Sequence, residues 1–174
     1  MFERPLLDNP LFIGKAKMTT QASMELVKRW LPVILWSSFI FLMSTGTFSA
    51  KHTFSTVRMV LGFLCPNLAS HQVILVHAAI RKGAHVSEYF VLGLLLFRAF
   101  SVSAAGVWKW QWALLAVMGV LVWALGDEFH QSFVPTRTAS MVDVGIDPAG
   151  GILAQGANAL WHRYVKPVRP FPVS

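Results

Sequence analysis

Five of the chain's eight acidic residues, Glu88, Asp127, Glu128, Asp143 and Asp147, lie close to His85, His130, Arg81, Lys82 and Arg137 in two short stretches. Their spacing is helical. His85 and Glu88 are i, i+3; Asp127 precedes His130 by three and Gln131 by four; Asp143 and Asp147 are i, i+4. Each pair therefore shares one helix face. Carboxylates and imidazoles from several packed helices can hold a divalent cation or handle a proton. The residues suited to proton chemistry are His85, Glu88, Asp127, His130 and Asp143. Those suited to a divalent metal are Glu88, Asp127, Asp143 and Asp147. Arg81, Lys82, Gln131 and Arg137 suit an anionic substrate, and Arg137 can grip one bidentately. Asp127 and Glu128 are adjacent and point in different directions on a helix, which leaves Glu128 the least committed acid.

The elements that must position these groups are membrane helices. The 174 residues are 55% hydrophobic and only 13% charged, about half the charged share of a soluble domain. Residues 30–50 carry no charge over 21 positions, enough to cross a hydrocarbon core of about 30 Å. Later uncharged runs are shorter: 89–97, 110–126 and 148–161. Nine residues make only about 14 Å of helix, so the second span must extend over 84–100 and take His85 and Glu88 into the membrane end of the bundle. The third covers 110–126. The fourth covers 139–161 and takes in Asp143, with Asp147. Charged groups kept at such depth are a functional-site hypothesis by default.

Asp147-Pro148 admits two structures. In one, Asp147 caps a helix that starts at Pro148; in the other, a longer helix from Ala139 is kinked at Pro148, leaving a carbonyl free to act as a ligand or acceptor. Span length favours the longer helix. Between the first two spans, TFSTVRMVLGFL is amphipathic and is followed by Pro66 and Asn67; HQVILVHAAIRK then leads into the second span as helix. Both read as short interfacial helices. The expected architecture is all-α, a polytopic bundle of four transmembrane helices. A polar N-terminal tail (1–29) and a C-terminal tail (162–174) flank it.

Charge sets the orientation. Ten of the fifteen Lys and Arg residues fall on the side of the termini and the 98–109 turn, five on the other. The positive-inside rule puts both termini in the cytoplasm and the whole polar cluster at the external face. The net charge of +7 belongs to these flanks. No basic stripe with interleaved aromatics accompanies it, which excludes a nucleic-acid surface. Cys65 is the single cysteine, so no intramolecular disulfide or multi-cysteine metal site exists.

IRKGAHVSEYFVLGLLL at 80–96 and GDEFHQSFVPTRTASMVDVGIDPAGG at 126–151, in that order and within a four-span layout, resemble the VanZ-like family of bacterial membrane proteins. The resemblance spans roughly 80–155. It implies a multi-pass protein of the bacterial cytoplasmic membrane with a role in the cell envelope, in a family named for low-level resistance to the glycopeptide teicoplanin. Three functions follow as expectations. The first is a site for a lipid-linked or cell-wall precursor, where any catalysis would be hydrolysis or transfer at a head group with His85 or His130 as proton carrier. The second is a non-enzymatic accessory protein whose polar cluster is a structural network. The third, an ion carrier, is weakest, because no polar relay runs through 90–97 or 110–125.

Overall fold

In a computed structural model the structure describes residues 10–45, 50–101, 108–134 and 141–165, with side chains for 21–45, 53–101, 108–134 and 145–165. These form five α-helices and no strand: α1 Pro10–Met43, α2 Ala50–Leu64, α3 Ser70–Phe100, α4 Trp110–Gln131 and α5 Met141–Tyr164. α3 is the central element, with α1, α2, α4 and α5 all packed on it; α4 also packs on α5.

Among the described residues two helices are long and apolar enough to cross a membrane, Gln21–Met43 within α1 and Trp110–Gln131. At 1.5 Å per residue each is about 33–35 Å long, matching the hydrocarbon core with a little to spare. α3 and α5 have 31 and 24 residues. Their length suffices, but their polar groups keep them below the same apolar standard.

α1 starts at Pro10, well ahead of the uncharged run, and Pro32 sits inside it. The HQVILVHAAIRK segment is not a separate interfacial helix. It is the first half of α3, because Gly83 is the only weak helix former between it and the second span, at a cost of about 1 kcal/mol. α2 is the expected short amphipathic helix; Pro66 and Asn67 turn the chain after it. At the start of α3 the Gln72 side chain accepts a hydrogen bond from the Ala69 N–H at 2.9 Å, relieving one of the unpaired amides of the first turn. α5 runs continuously through Pro148, so Asp147 is an interior residue and not a cap.

Each helix buries one stripe. On α1 it is Val33, Ser37, Ile40 and Ser44; on α3 Tyr89, Leu92, Gly93, Leu96 and Phe97; on α4 Ala113, Ala116, Val120, Ala124, Asp127 and Gln131. Intervals of three and four residues are the signature of one helix face. The α3–α5 crossing depends on small residues. A Cβ on Gly150 would fall on the Val86 carbonyl oxygen and 2.9 Å from the Phe90 nitrogen, while one on Gly93 would lie 3.0 Å from the Ala154 Cβ. Close backbone approach replaces the hydrophobic effect as the packing force between helices that face lipid. Gln155 locks the crossing by donating to the Gly93 carbonyl at 3.1 Å.

Candidate functional site

Beyond the apolar core, the helix ends converge on polar groups. A cavity of about 100 Å³ is lined by Ile40, Met43 and Ser44 from the end of α1, Thr53 from α2, Arg81, Ala84, His85 and Glu88 from α3, and Asp127 from α4. Four elements thus contribute to one small space. The helical spacing read in the sequence is what puts Arg81, His85 and Glu88 on one wall, since positions i, i+4 and i+7 share a face.

α5 reaches the site through Asp147. This residue is fully buried, and its Oδ1 stands 3.4 Å from Nδ1 of His85. The contact brings an imidazole of α3 and a carboxylate of α5 together beside the cavity wall, the kinds of group that acid–base chemistry uses. From the other side Asp127 is held by Gln131, whose amide nitrogen donates to Asp127 Oδ2 and to Ser44 Oγ, both at 2.8 Å. One amide therefore joins α4 to the end of α1 and fixes the carboxylate. Asp127 Oδ1 has no hydrogen-bond partner among the described residues, though Asp127 is only 6% exposed. The Arg81 guanidinium lines the same cavity, half-buried, with no ion pair or hydrogen bond to any described residue. A third tether comes from Trp36, whose indole N–H donates to the Glu88 carbonyl at 2.9 Å.

Tyr89 occupies the centre of this end of the bundle. It is completely buried, its hydroxyl finds no partner among the described residues, and it sits in the field of Asp127, Asp147, Glu88 and Glu128. A buried phenol among carboxylates is a hydrogen-bond donor looking for an oxygen. At the outer edge of α3, His77 accepts or donates a 3.0 Å hydrogen bond with Thr53 Oγ1 and meets Phe54 edge-on, tying α2 to α3. Burial, and then the nearby Arg81 charge, hold its pKa below the ordinary histidine value.

The sequence-derived candidates divide accordingly. His85, Glu88, Asp127 and Arg81 line one cavity, and Asp147 joins through His85. Gln131 is brought to Asp127 as its anchor and not to the cavity wall. His130 stacks on Phe41 of α1 at 4.5 Å, away from the lining residues. Lys82 is exposed one position past Arg81. Glu128, expected to be uncommitted, is buried, because it follows Val120 and Ala124 at steps of four on the packed stripe of α4. Asp143 belongs to α5 but its side chain, like all of Arg137, lies outside the described residues. Among the described residues no three His, Cys, Asp or Glu side chains are grouped to hold a metal ion.

Ser44, Thr53, Trp36 and Tyr89 were not among the expected site residues. Ser44 and Thr53 carried the general signal that hydroxyl groups on membrane helices bond across helices. Nothing along the chain marks Trp36 as a partner of Glu88, fifty-two residues away.

A family model described as VanZ/LLP1 matches residues 29–162, which takes in both polar motifs and every residue of the cavity. No curated protein and no solved structure matches the chain. With two apolar helices long enough to cross a bilayer and a match over three quarters of its length, the chain is a membrane protein that belongs to the VanZ/LLP1 family.

Proposed function

We propose that this chain is a four-span protein of the bacterial cytoplasmic membrane that binds the polar end of an envelope lipid or lipid-linked precursor. The cavity among α1, α2, α3 and α4, at the external face, is the binding site. In this reading α3 and α5 cross the bilayer beside α1 and α4, both termini are cytoplasmic, and occupancy of the site changes what the envelope presents to a glycopeptide such as teicoplanin. The observation that carries it is Arg81. A half-buried guanidinium with no ion pair among the described residues, on the wall of a cavity at a helix end, is a receptor for a phosphate or carboxylate. His85, backed by Asp147, and Glu88 supply acid–base groups beside it, should the bound head group be transformed.

The test is lipid binding by the purified protein followed as thermal stabilisation. Envelope lipids should raise the unfolding temperature of wild type and leave Arg81→Gln unmoved. Equal stabilisation of both proteins would refute the reading.

A second reading has its own support. Gln131 joins Asp127 to Ser44, Gln155 reaches the Gly93 carbonyl, and His85 meets Asp147, so much of the polar cluster ties helices together. On that account the chain is a non-enzymatic accessory protein and the cluster is structural. It predicts that Arg81→Gln and Glu88→Gln lower folded yield in size exclusion without any lipid-specific change.

A further inference from the structure

We infer that α2 and the first half of α3 form a hairpin set into the leaflet on the cavity's side, with its outward apolar face against lipid chains. The inference takes from the proposed topology only that α3 crosses the bilayer, and it holds whatever the cavity binds.

The first observation is composition. Residues 59–80 carry no Lys, Arg, Asp or Glu over 22 positions, and Arg58 is the one such residue from Thr53 to Ile80. Soluble domains are about a quarter charged, which would put about seven such residues in a stretch of that length. The run cannot cross as a single helix, because Pro66 and Asn67 turn the chain between α2 and α3. It folds back on itself instead. Thr53, near the start of α2, bonds to His77, while the end of α2 joins Ser70 through the turn, so the two arms are antiparallel.

The second is that α2 has two apolar faces. Phe54 and Leu61 line a gap shared with Val73 and Ile74 of α3. Met59, Val60 and Phe63 lie on another side with no cover among the described residues; Met59 is 71% and Phe63 87% exposed. A helix that lies flat on a membrane has one apolar face and a strongly charged one. α2 has an apolar face to spare, and Leu75 and Ile80 of α3 are exposed as well. The exteriors of the two apolar spans have the same character, with Leu35 of α1 and Val122 of α4 equally open. The hairpin thus continues a lipid-facing surface. A protein partner is the poorer occupant, because interfaces carry a polar rim and 59–80 supplies no charged residue for one.

The third is length. α3 has 31 residues, about 46 Å of helix, against a hydrocarbon core of about 30 Å and about 40–45 Å with both head-group layers. With Arg98 of its last turn at one boundary, its first turns and α2 fill the head-group layer at the other and the hydrocarbon directly beneath. The irregular turn at 65–69 belongs at the surface, because backbone without helix bonds is not tolerated among lipid chains. Thr53 and Arg81, at the bases of the two arms, line the cavity, which therefore lies below the membrane surface.

The experiment is spin labelling of the full-length protein in vesicles of phosphatidylethanolamine and phosphatidylglycerol. Collisions are measured with oxygen, which concentrates in hydrocarbon, and with a nickel chelate, which stays in water. One label sits on Cys65 of wild type. The others are placed by Met59→Cys, Leu75→Cys, Leu94→Cys and Val122→Cys, each combined with Cys65→Ser. The expected result is that the labels at Met59 and Leu75 collide with oxygen and lose nickel collisions, as the label at Val122 on α4 does. Cys65, at the turn, should keep more nickel access than either.

Nickel collisions at Met59 and Leu75 as frequent as at Cys65 would overturn the insertion. In that case oxygen preference at Leu94 would leave the crossing of α3 standing, and nickel access there would remove the crossing too. Exclusion of both reagents from Met59 and Leu75 would also overturn it, by showing that protein, such as a second copy of the chain, covers the face.

Discussion

At the scale of single residues, the site is built from pairs in which one member holds the other. Gln131 holds Asp127, Asp147 holds His85, and the Trp36 indole holds the backbone of Glu88. Gln131→Leu takes two hydrogen bonds from a buried carboxylate and a serine, and leaving such groups unsatisfied costs about 1–3 kcal/mol each. The expected outcome is a fall of several degrees in unfolding temperature in detergent, with Gln131→Glu worse because it sets another carboxylate against buried Asp127. His77 gives a pH prediction. Its pKa in the folded protein lies below that of the free side chain, so the unfolded chain binds more protons as the medium is acidified. Its contribution to stability is complete above the ordinary histidine value near 6.5 and is lost as pH falls towards the folded-state value. Wild type should therefore lose more stability than His77→Gln between neutral pH and pH about 5.5, read by hydrogen exchange in α2; identical profiles would exclude His77 as the cause. Helical spacing in the sequence was enough to group Arg81, His85 and Glu88 on one face, which the fold brings to one cavity with Asp127, and Asp147 beside His85. It was not enough to separate His130, whose ring faces Phe41, from His85, because which way a helix turns is decided by its neighbours and not by its own residues.

Among the elements, the α3–α5 crossing carries the most weight, since α5 delivers Asp147 to His85 only if the two backbones lie close. Gly150→Ala would drive a methyl group into the Val86 carbonyl and the Phe90 amide of α3, and backbone cannot move aside as a side chain can. It should abolish or sharply reduce folded protein in size exclusion. Gly145→Ala, in the same helix with no atom within 4 Å of the added carbon, should be neutral or slightly stabilising, as Gly to Ala in a helix gains about 0.5–1 kcal/mol. Equal behaviour of the two variants would mean that the crossing is not where it is described. The presence of the helices was plain from the uncharged runs. Their boundaries were less plain. Charge marks where a span meets water, but helix continues through charge, so α1 and α3 run far past the limits that composition draws.

For the whole molecule, family membership and two apolar helices make this a membrane protein, and the proposed orientation has a simple check. Cys65 is the only cysteine and is exposed just after α2, on the side assigned to the exterior. A membrane-impermeant maleimide should label it in intact spheroplasts; labelling only in inverted vesicles would reverse the topology and move the cavity to the cytoplasmic face. The proposed orientation rests on ten basic residues against five, an asymmetry that is a property of the chain itself. What the cavity holds was not readable there, because a ligand answers to the residual charge and volume left after the protein has satisfied itself, and both exist only in the folded state. The central claim is that Arg81 anchors a lipid head group in that cavity. The most direct measurement is the lipid that accompanies the protein when it is extracted from its membrane in polymer nanodiscs, for wild type beside Arg81→Gln. The account predicts one phospholipid class enriched over the bulk membrane in wild type and reduced to the bulk proportion in the variant. Bulk composition around both proteins, with both folded, would contradict it.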